Sequence, residues 1–152
     1  MPTPWFSWAM PSDDILAIGL AFLLGAAVGA EREYRRHPGG LRSMALVAVA
    51  ACTFARIILT VGGNNLAAGF GALATGFGFL GAGVILHMGT QVRGLSTAAS
   101  FWAVAAMGTA IGAGLYAMGI ALGGLIMIAH VTLRSISGWI EKNAPPEDPG
   151  PH

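Results

Sequence analysis

Apolar residues fall into five long runs, separated by short segments that hold most of the polar and charged residues. The runs are 15–30, 44–61, 66–88, 95–112 and 116–133. A helix that crosses a bilayer needs about 20 mostly apolar residues, so each run predicts one transmembrane helix. The last two runs nearly touch, but one helix over 95–133 would be about 58 Å long, roughly twice the hydrocarbon thickness. We therefore expect a glycine turn at Gly112-Ala113-Gly114.

Composition supports the same architecture. Hydrophobic residues make up 55% of the 152 residues and charged residues only 10%, whereas soluble domains carry about 25% charged residues. So little charge cannot cover a surface that faces water, so the surface is expected to face lipid. The predicted fold class is all-α, a polytopic membrane bundle of about five transmembrane helices.

Basic residues alternate between the segments that join the runs. The second segment (62–65) and the turn at 112–114 have none, and the basic residues lie in the first and third segments and after the fifth run, at Arg32, Arg35, Arg36, Arg42, Arg93, Arg134 and Lys142. The positive-inside rule then predicts an external N-terminus and a cytoplasmic C-terminus. The expected organisation is an external segment 1–14, a transmembrane domain 15–134, and a cytoplasmic tail 135–152 that is expected to be disordered.

The third run is rich in glycine. Its residues 76–81 match G-x-G-x-x-G literally, but a dinucleotide site needs a preceding strand and a later acidic residue, and the run offers neither. Small residues let membrane helices approach closely. We therefore expect helix packing, at the centre of the bundle, through Gly76, Gly78, Gly81 and Gly83. A local break of this helix, of the kind that marks ligand sites in transporters, is the alternative.

Charged residues at the cytoplasmic ends of the predicted helices form a candidate functional polar face. Glu31 ends the first helix, Arg42 opens the second and Arg93 precedes the fourth. Glu31 and Glu33 are expected to pair with Arg42 or Arg93, and an ionisable group held at a membrane face is a functional hypothesis by default. The competing interpretation is that these side chains only snorkel to the membrane interface and fix the orientation of the protein in the membrane. Arg56, at the outer end of the second helix, is expected to do so.

The start of the fourth helix offers a second hypothesis. Ser96 or Thr97 is expected to cap that helix, and its free N–H groups, with Arg93, would favour an anion such as a phosphate, a lipid head group or a glutamate. Ser96 with His130 on the fifth helix loosely resembles a serine protease pair, which is a minor alternative. His87 and His130 alone do not make a zinc site, which needs three or four ligands. No cofactor or metal is predicted.

Three ordered blocks of sequence resemble the MgtC/SapB family of bacterial inner-membrane proteins. They are GAERE at 29–33 with GGLRSMALV at 39–47, GFGFLGAGV at 76–84, and RGLSTAASFW at 93–102. The resemblance covers roughly residues 15 to 133. By match to these blocks, the candidate functional positions are Glu31, Arg32, Arg42, Gly81, Arg93 and Thr97.

The resemblance implies a multi-pass protein of the bacterial inner membrane. It implies a virulence-associated regulator, linked to magnesium limitation, stress and intracellular survival, that binds other membrane proteins. The proton-translocating ATP synthase is a candidate partner, and a homo-oligomer is an open alternative, whereas nucleic acid is not expected. The resemblance does not imply an enzyme. A small-ion transporter or channel using the glycine-rich helix is the alternative function.

Overall fold

The computed structural model describes residues 11–88 and 91–143. Six α-helices, a short hairpin and two irregular helical turns follow one another. In chain order they are α1 (Ser12–Tyr34), α2 (Leu41–Val61), a 3-10 turn (Gly63–Asn65), α3 (Leu66–Ala82), β1 (Leu86–Met88), β2 (Gln91–Arg93), α4 (Leu95–Gly112), α5 (Tyr116–Ile128), a π-helical turn (Ala129–Leu133) and α6 (Arg134–Asn143).

Five of these helical segments are long and apolar enough to cross a membrane. They are Ser12–Tyr34, Leu41–Val61, Gly63–Ala82, Leu95–Gly112 and Tyr116–Leu133. The prediction of an all-α membrane bundle with about five transmembrane helices is confirmed. The glycine turn between the last two helices is also present, because Gly114 adopts the left-handed conformation that ends α4 (φ 80°).

The core lies between α1, α2, α4 and α5, and most of its side chains are small. Ala17 and Ala21 of α1, Ala48 of α2 and Val104 of α4 are all buried. Small residues allow the helix backbones to approach closely. At Gly108 this approach leaves no room for a side chain, because an added Cβ would collide with the main chain of Ala48. The core is therefore held by packing at short interhelical distance.

The glycine-rich helix α3 lies at the edge of the bundle, not at its centre. Of the 18-residue membrane window of each helix, 61% is buried in α4 but 11% in α3. A Cβ added at Gly76 would meet nothing within 4 Å, and one at Gly78 would meet only Trp102 at 3.9 Å. The expected central packing is wrong for these residues in the single chain. Five of the 17 residues of α3 are glycine, so much of the helix has no side chain to pack against its neighbours.

The third apolar run does not continue as a helix to Met88. The helix α3 ends at Ala82, Gly83 follows it, and Gly81 alone of the four glycines is buried, near Ala98. Leu86–Met88 then pairs antiparallel with Gln91–Arg93. Gly94 follows with φ 91°, and a Cβ there would collide with the carbonyl of Val84. Glycine at this position lets the hairpin lead directly into α4.

The two ends of the chain also differ from expectation. Ser12 to Asp14, assigned to the external segment, form the first turn of α1. The helix α6 covers Arg134–Asn143, so the expectation of a disordered tail from residue 135 is wrong for residues 135–143. The expectations for 1–10 and 144–152 lie outside the described residues.

Candidate functional site

Arg32 is the centre of a polar cluster at one end of the bundle. The helix α1 continues to Tyr34, beyond the predicted end at Ala30, so Arg32 projects from its last turns. Its side chain is 2% exposed. Its Nε donates to the carbonyl of Gly39 at 3.2 Å, and its Nη2 donates to the carbonyl of Pro38 at 2.7 Å. Arg32 thereby fastens the loop that leads into α2.

The same guanidinium also binds α4. Its Nη2 donates to Thr97 Oγ1 at 3.0 Å and its Nη1 donates to Ser100 Oγ at 2.9 Å. Residues three apart on a helix lie on the same face, so Thr97 and Ser100 form one buried polar face that points at α1. Four of the five guanidinium N–H groups are used, and every acceptor is an uncharged oxygen.

Ser100 connects the cluster to the end of α5 through His130. Its Oγ donates to the carbonyl of Ser96 at 2.8 Å and lies 2.9 Å from His130 Nε2. A hydroxyl has one hydrogen and two lone pairs. If the hydrogen goes to Ser96, His130 Nε2 donates to Ser100; in the other tautomer Ser100 donates to Nε2 and the ring hydrogen is on Nδ1. His130 Nδ1 then faces Glu31 Oε2 at 3.7 Å, which is too long for a hydrogen bond.

His130 reaches this position from a π-helical turn. Residues Ala129–Leu133 continue α5 with π-helical geometry. A π-turn rotates the following side chains relative to an α-helix, and such turns are frequent at functional sites. Glu31, across from His130, forms an ion pair with Arg35 one turn further along α1. The cluster therefore joins α1, α4 and the end of α5.

A cavity of about 680 Å³ opens beside this cluster. Its polar wall includes Glu31, Arg32, Arg35, Ser100 and His130. Its apolar wall is made by α4 and α5, with mostly small residues, namely Ala99, Ala103, Ile126, Ala129 and Leu133. The site can therefore hold a ligand with both a polar and an apolar part.

The predicted polar face is only partly assembled here. Arg32 and Thr97 are in direct contact, and Glu31 lies beside them in the cavity wall. Arg42 and Arg93 are exposed, and neither makes an ion pair within residues 11–88 and 91–143. The expected pairing of Glu31 with them is replaced by its pairing with Arg35.

Two further local expectations are corrected. Glu33 Oε2 accepts a hydrogen bond from the backbone N–H of Leu41 at 2.9 Å, so it holds the start of α2 instead of an arginine. Neither Ser96 nor Thr97 caps α4, which begins after Gly94 without a side-chain cap. Thr97 is turned inward toward Arg32, and this contact occupies its hydroxyl.

The structure pairs His130 with a different serine from the one named in the serine protease alternative. His130 contacts Ser100, not Ser96, and Ser96 is exposed. The hydroxyl of Ser100 lies within hydrogen-bond distance of Ser96 O, Arg32 Nη1 and His130 Nε2, so three partners surround it. The geometry fits a hydrogen-bond junction better than a nucleophile.

A second, smaller polar cluster lies at the opposite end of the bundle. Arg56 pairs with Asp14 at 2.6 Å and donates to Tyr116 Oη at 3.0 Å. Arg56 thus ties α2 to α1 and α5 instead of only extending toward water. Asp14 and Arg32 are 18 residues apart on α1, about 27 Å along the helix. The two clusters therefore lie near opposite membrane faces.

The described part of the chain contains no obvious set of metal ligands. No group of three or more histidine, cysteine, aspartate or glutamate side chains there is placed to hold an ion. The lone cysteine, Cys52, is buried in the core.

Five membrane-crossing helices with a buried arginine cluster at one end define a polytopic helical membrane protein. Comparison with known families makes that class specific. The family model described as MgtC family matches residues 18–139, and the chain belongs to this family. It is accordingly a multi-pass protein of the bacterial inner membrane.

Several relatives are similar over most of this chain. Protein MgtC of Salmonella typhimurium strain LT2 is 41% identical over 128 residues, which is 84% of this chain and 55% of the relative. Protein MgtC of Brucella abortus strain 2308 is 41% identical over 138 residues, 90% and 58% of the two chains. The uncharacterized protein slr0014 of Synechocystis is 35% identical over 132 residues, 85% and 56%.

The chain spans little more than half the length of these relatives. No solved structure matches it.

Proposed function

We propose that this protein is a membrane regulator that acts by binding other membrane proteins through α3. The observation that carries the proposal is an exposed face of small residues on that helix. Ala68, Gly71, Ala72 and Thr75 are all exposed, and a Cβ at Gly71 would meet nothing within 4 Å. Phe79, on the same side, is 83% exposed.

The spacing on this face suits a helical partner. Ala68 and Ala72, like Gly71 and Thr75, are four residues apart and follow the small-xxx-small pattern that lets a second membrane helix approach closely. Lipid chains gain little dispersion energy against the small residues of this face. A helix from another protein would gain more, and its side chains could fill the space above Gly71.

The core supports binding over transport. Between the two polar clusters the buried residues of α1, α2 and α4 are apolar, including Ala21, Ala48, Cys52 and Met107. Packing there is close, because added atoms at Gly108 would collide with the main chain of α2. A permeating ion would need polar groups or water along its path. The buried side chains described between the two clusters supply no such polar group, which favours a regulator over a small-ion transporter or channel.

The wider role rests on the family. We propose a function in adaptation to magnesium limitation and in stress or intracellular survival, with the proton-translocating ATP synthase as a candidate partner. The proposal covers the membrane part that this chain shares with its longer relatives. It involves no catalytic step.

Site-specific photo-crosslinking in the native membrane tests the proposal. A photoreactive residue at Thr75 should give an adduct with one other membrane protein, identified by mass spectrometry. The same residue at Gly19, an exposed glycine of α1 with nothing within 4 Å of its Cβ position, is the matched control. Gly71→Leu should remove the adduct at position 75, and Gly19→Leu should leave it unchanged.

Two results would contradict the proposal. Equal adduct patterns at positions 75 and 19 would mean that the α3 face is not a docking surface. Saturable, ion-specific flux through proteoliposomes of the purified protein, abolished by Glu31→Gln, would show transport instead.

A further inference from the structure

The cavity between α1, α4 and the end of α5 has a positively charged wall. Arg32 and Arg35 contribute two positive charges, and Glu31 contributes one negative charge. His37 and His130 also line it. The wall therefore carries one positive charge that no carboxylate within the cavity balances. Buried charges in proteins are normally paired, so this excess favours an anionic ligand.

Arg32 is the source of the excess. It is 2% exposed, and its hydrogen bonds go to two carbonyls and two hydroxyls. The nearest carboxylate, Glu31, forms its ion pair with Arg35. One of the five guanidinium N–H groups of Arg32, on Nη1, has no acceptor in the described part of the chain. A guanidinium with a spare N–H beside a cavity can donate to an oxyanion.

Other groups around the cavity can complete such a site. The hydroxyl of Ser96 lines the cavity and is exposed. His130 Nδ1 is buried and has no hydrogen-bond partner among the described residues, and it adds a donor in the tautomer that carries the ring hydrogen on Nδ1. Arg35 keeps further N–H groups beyond its ion pair with Glu31. Several donors thus surround one space.

The rest of the wall is apolar and lies deeper along α4 and α5. Ala99, Ala103 and Ile126 contribute to it, and all three belong to segments that cross the membrane. A small soluble anion would leave this surface uncovered. A hydrocarbon chain would cover it while its polar head lay at the membrane face beside the arginines.

We propose that this cavity binds an amphiphilic phosphate, namely the phosphate-bearing head and upper chain of an anionic membrane lipid. The phosphate lies against Arg32 and Arg35, because guanidinium groups match phosphate in charge and geometry. The acyl chain lies along Ala99 and Ala103. This site is separate from the α3 face, so either proposal can fail while the other stands.

Native mass spectrometry of the purified full chain, given phosphatidylglycerol or an uncharged diacylglycerol, tests the site. Phosphatidylglycerol should be retained and diacylglycerol should not. Arg35→Gln should weaken retention roughly tenfold or more, the effect of losing one charge-assisted contact. Arg36→Gln removes the same charge from an exposed neighbour that does not line the cavity, and it should leave retention unchanged.

Glu31→Gln gives the sharpest test because its expected effect has the opposite sign. It removes the negative charge from the wall, so retention of phosphatidylglycerol should increase. A purely structural role of the Glu31–Arg35 ion pair would instead give similar losses in both variants. Ala99→Leu should block the apolar wall, and Ala121→Leu, an exposed position on α5 outside the cavity, serves as its control.

Inorganic phosphate separates the two sources of the anion. If it binds the protein as tightly as phosphatidylglycerol, the amphiphilic assignment is wrong and the site takes a soluble anion. If phosphatidylglycerol binds equally to wild type, Arg35→Gln and Ala99→Leu, the cavity is not its site. Retention that falls in both variants and rises in Glu31→Gln supports the proposal.

Discussion

One buried residue, Arg32, holds several parts of the bundle together. Arg32 connects α1, the loop at 38–39 and α4 through four hydrogen bonds. Its acceptors are all neutral, so truncation would remove this donor from the buried hydroxyl of Thr97 and from the carbonyls of Pro38 and Gly39. Unsatisfied buried groups of this kind are costly. Arg32 is therefore both a structural tie and part of the cavity wall, and for that reason the lipid test uses Arg35 instead.

Gly108 allows a residue-scale prediction about packing. Gly108→Ala should destabilise the bundle by about 1–3 kcal/mol, since overpacking forces rigid neighbours to move and the new Cβ would meet the carbonyl of Ala48. Gly124→Ala, where a Cβ meets nothing within 4 Å, should be neutral or stabilising because alanine favours helix. The unfolding midpoint in mixed micelles measures both. Equal midpoints would mean that α2 and α4 are not this close.

The candidate site shows which residues a sequence can and cannot identify. Glu31, Arg32 and Thr97 stood in sequence blocks that resemble a family, and all three lie at or beside the cavity. Ser100 was missed, although its spacing of three from Thr97 on an apolar helix could have indicated a shared polar face. The contact of His130 with Ser100 depends on the π-helical turn at 129–133. No residue pattern in the sequence predicts that turn.

Among the helices, α3 differs most from its neighbours. It carries glycine at 69, 71, 76, 78 and 81, and its main contacts are with α2 and α4 alone. A high glycine content is compatible with two positions of a helix. It suits a tightly packed helix at the centre of a bundle, and it also suits an edge helix with an exposed face that can bind a partner. Only the neighbours decide between these, so hydropathy located the helix correctly but could not place it in the bundle.

Its weak packing predicts that α3 is the least protected membrane helix. Glycine disfavours helix by about 1 kcal/mol relative to alanine, and few buried contacts compensate. In detergent micelles the amides of 71–78 should exchange with deuterium roughly tenfold or more faster than those of 104–111 in α4. Hydrogen exchange with mass spectrometry measures this difference. Comparable protection of both helices would mean that another surface, such as a second copy, covers α3.

The whole molecule has a polar cluster at each end and an apolar core between them. The cluster at Arg32 is larger and includes the cavity, whereas the cluster at Arg56 joins the side chains of Asp14 and Tyr116 among the described residues. This asymmetry parallels the loop charges, because the basic residues of the first and third connecting segments lie at the Arg32 end. A bundle of this kind should insert in one orientation. The lipid cavity would then face the leaflet on the cytoplasmic side.

Cysteine labelling can determine that orientation because Cys52 is the only native cysteine and is buried. In a Cys52→Ala background, Ser43→Cys lies at the start of α2 and Asn64→Cys lies after its end, and both positions are exposed. A membrane-impermeant maleimide should label Asn64→Cys in intact spheroplasts but Ser43→Cys only after permeabilisation. The reverse pattern would invert the bundle and place the cavity in the outer leaflet. Equal labelling of both would mean that α2 does not span the membrane.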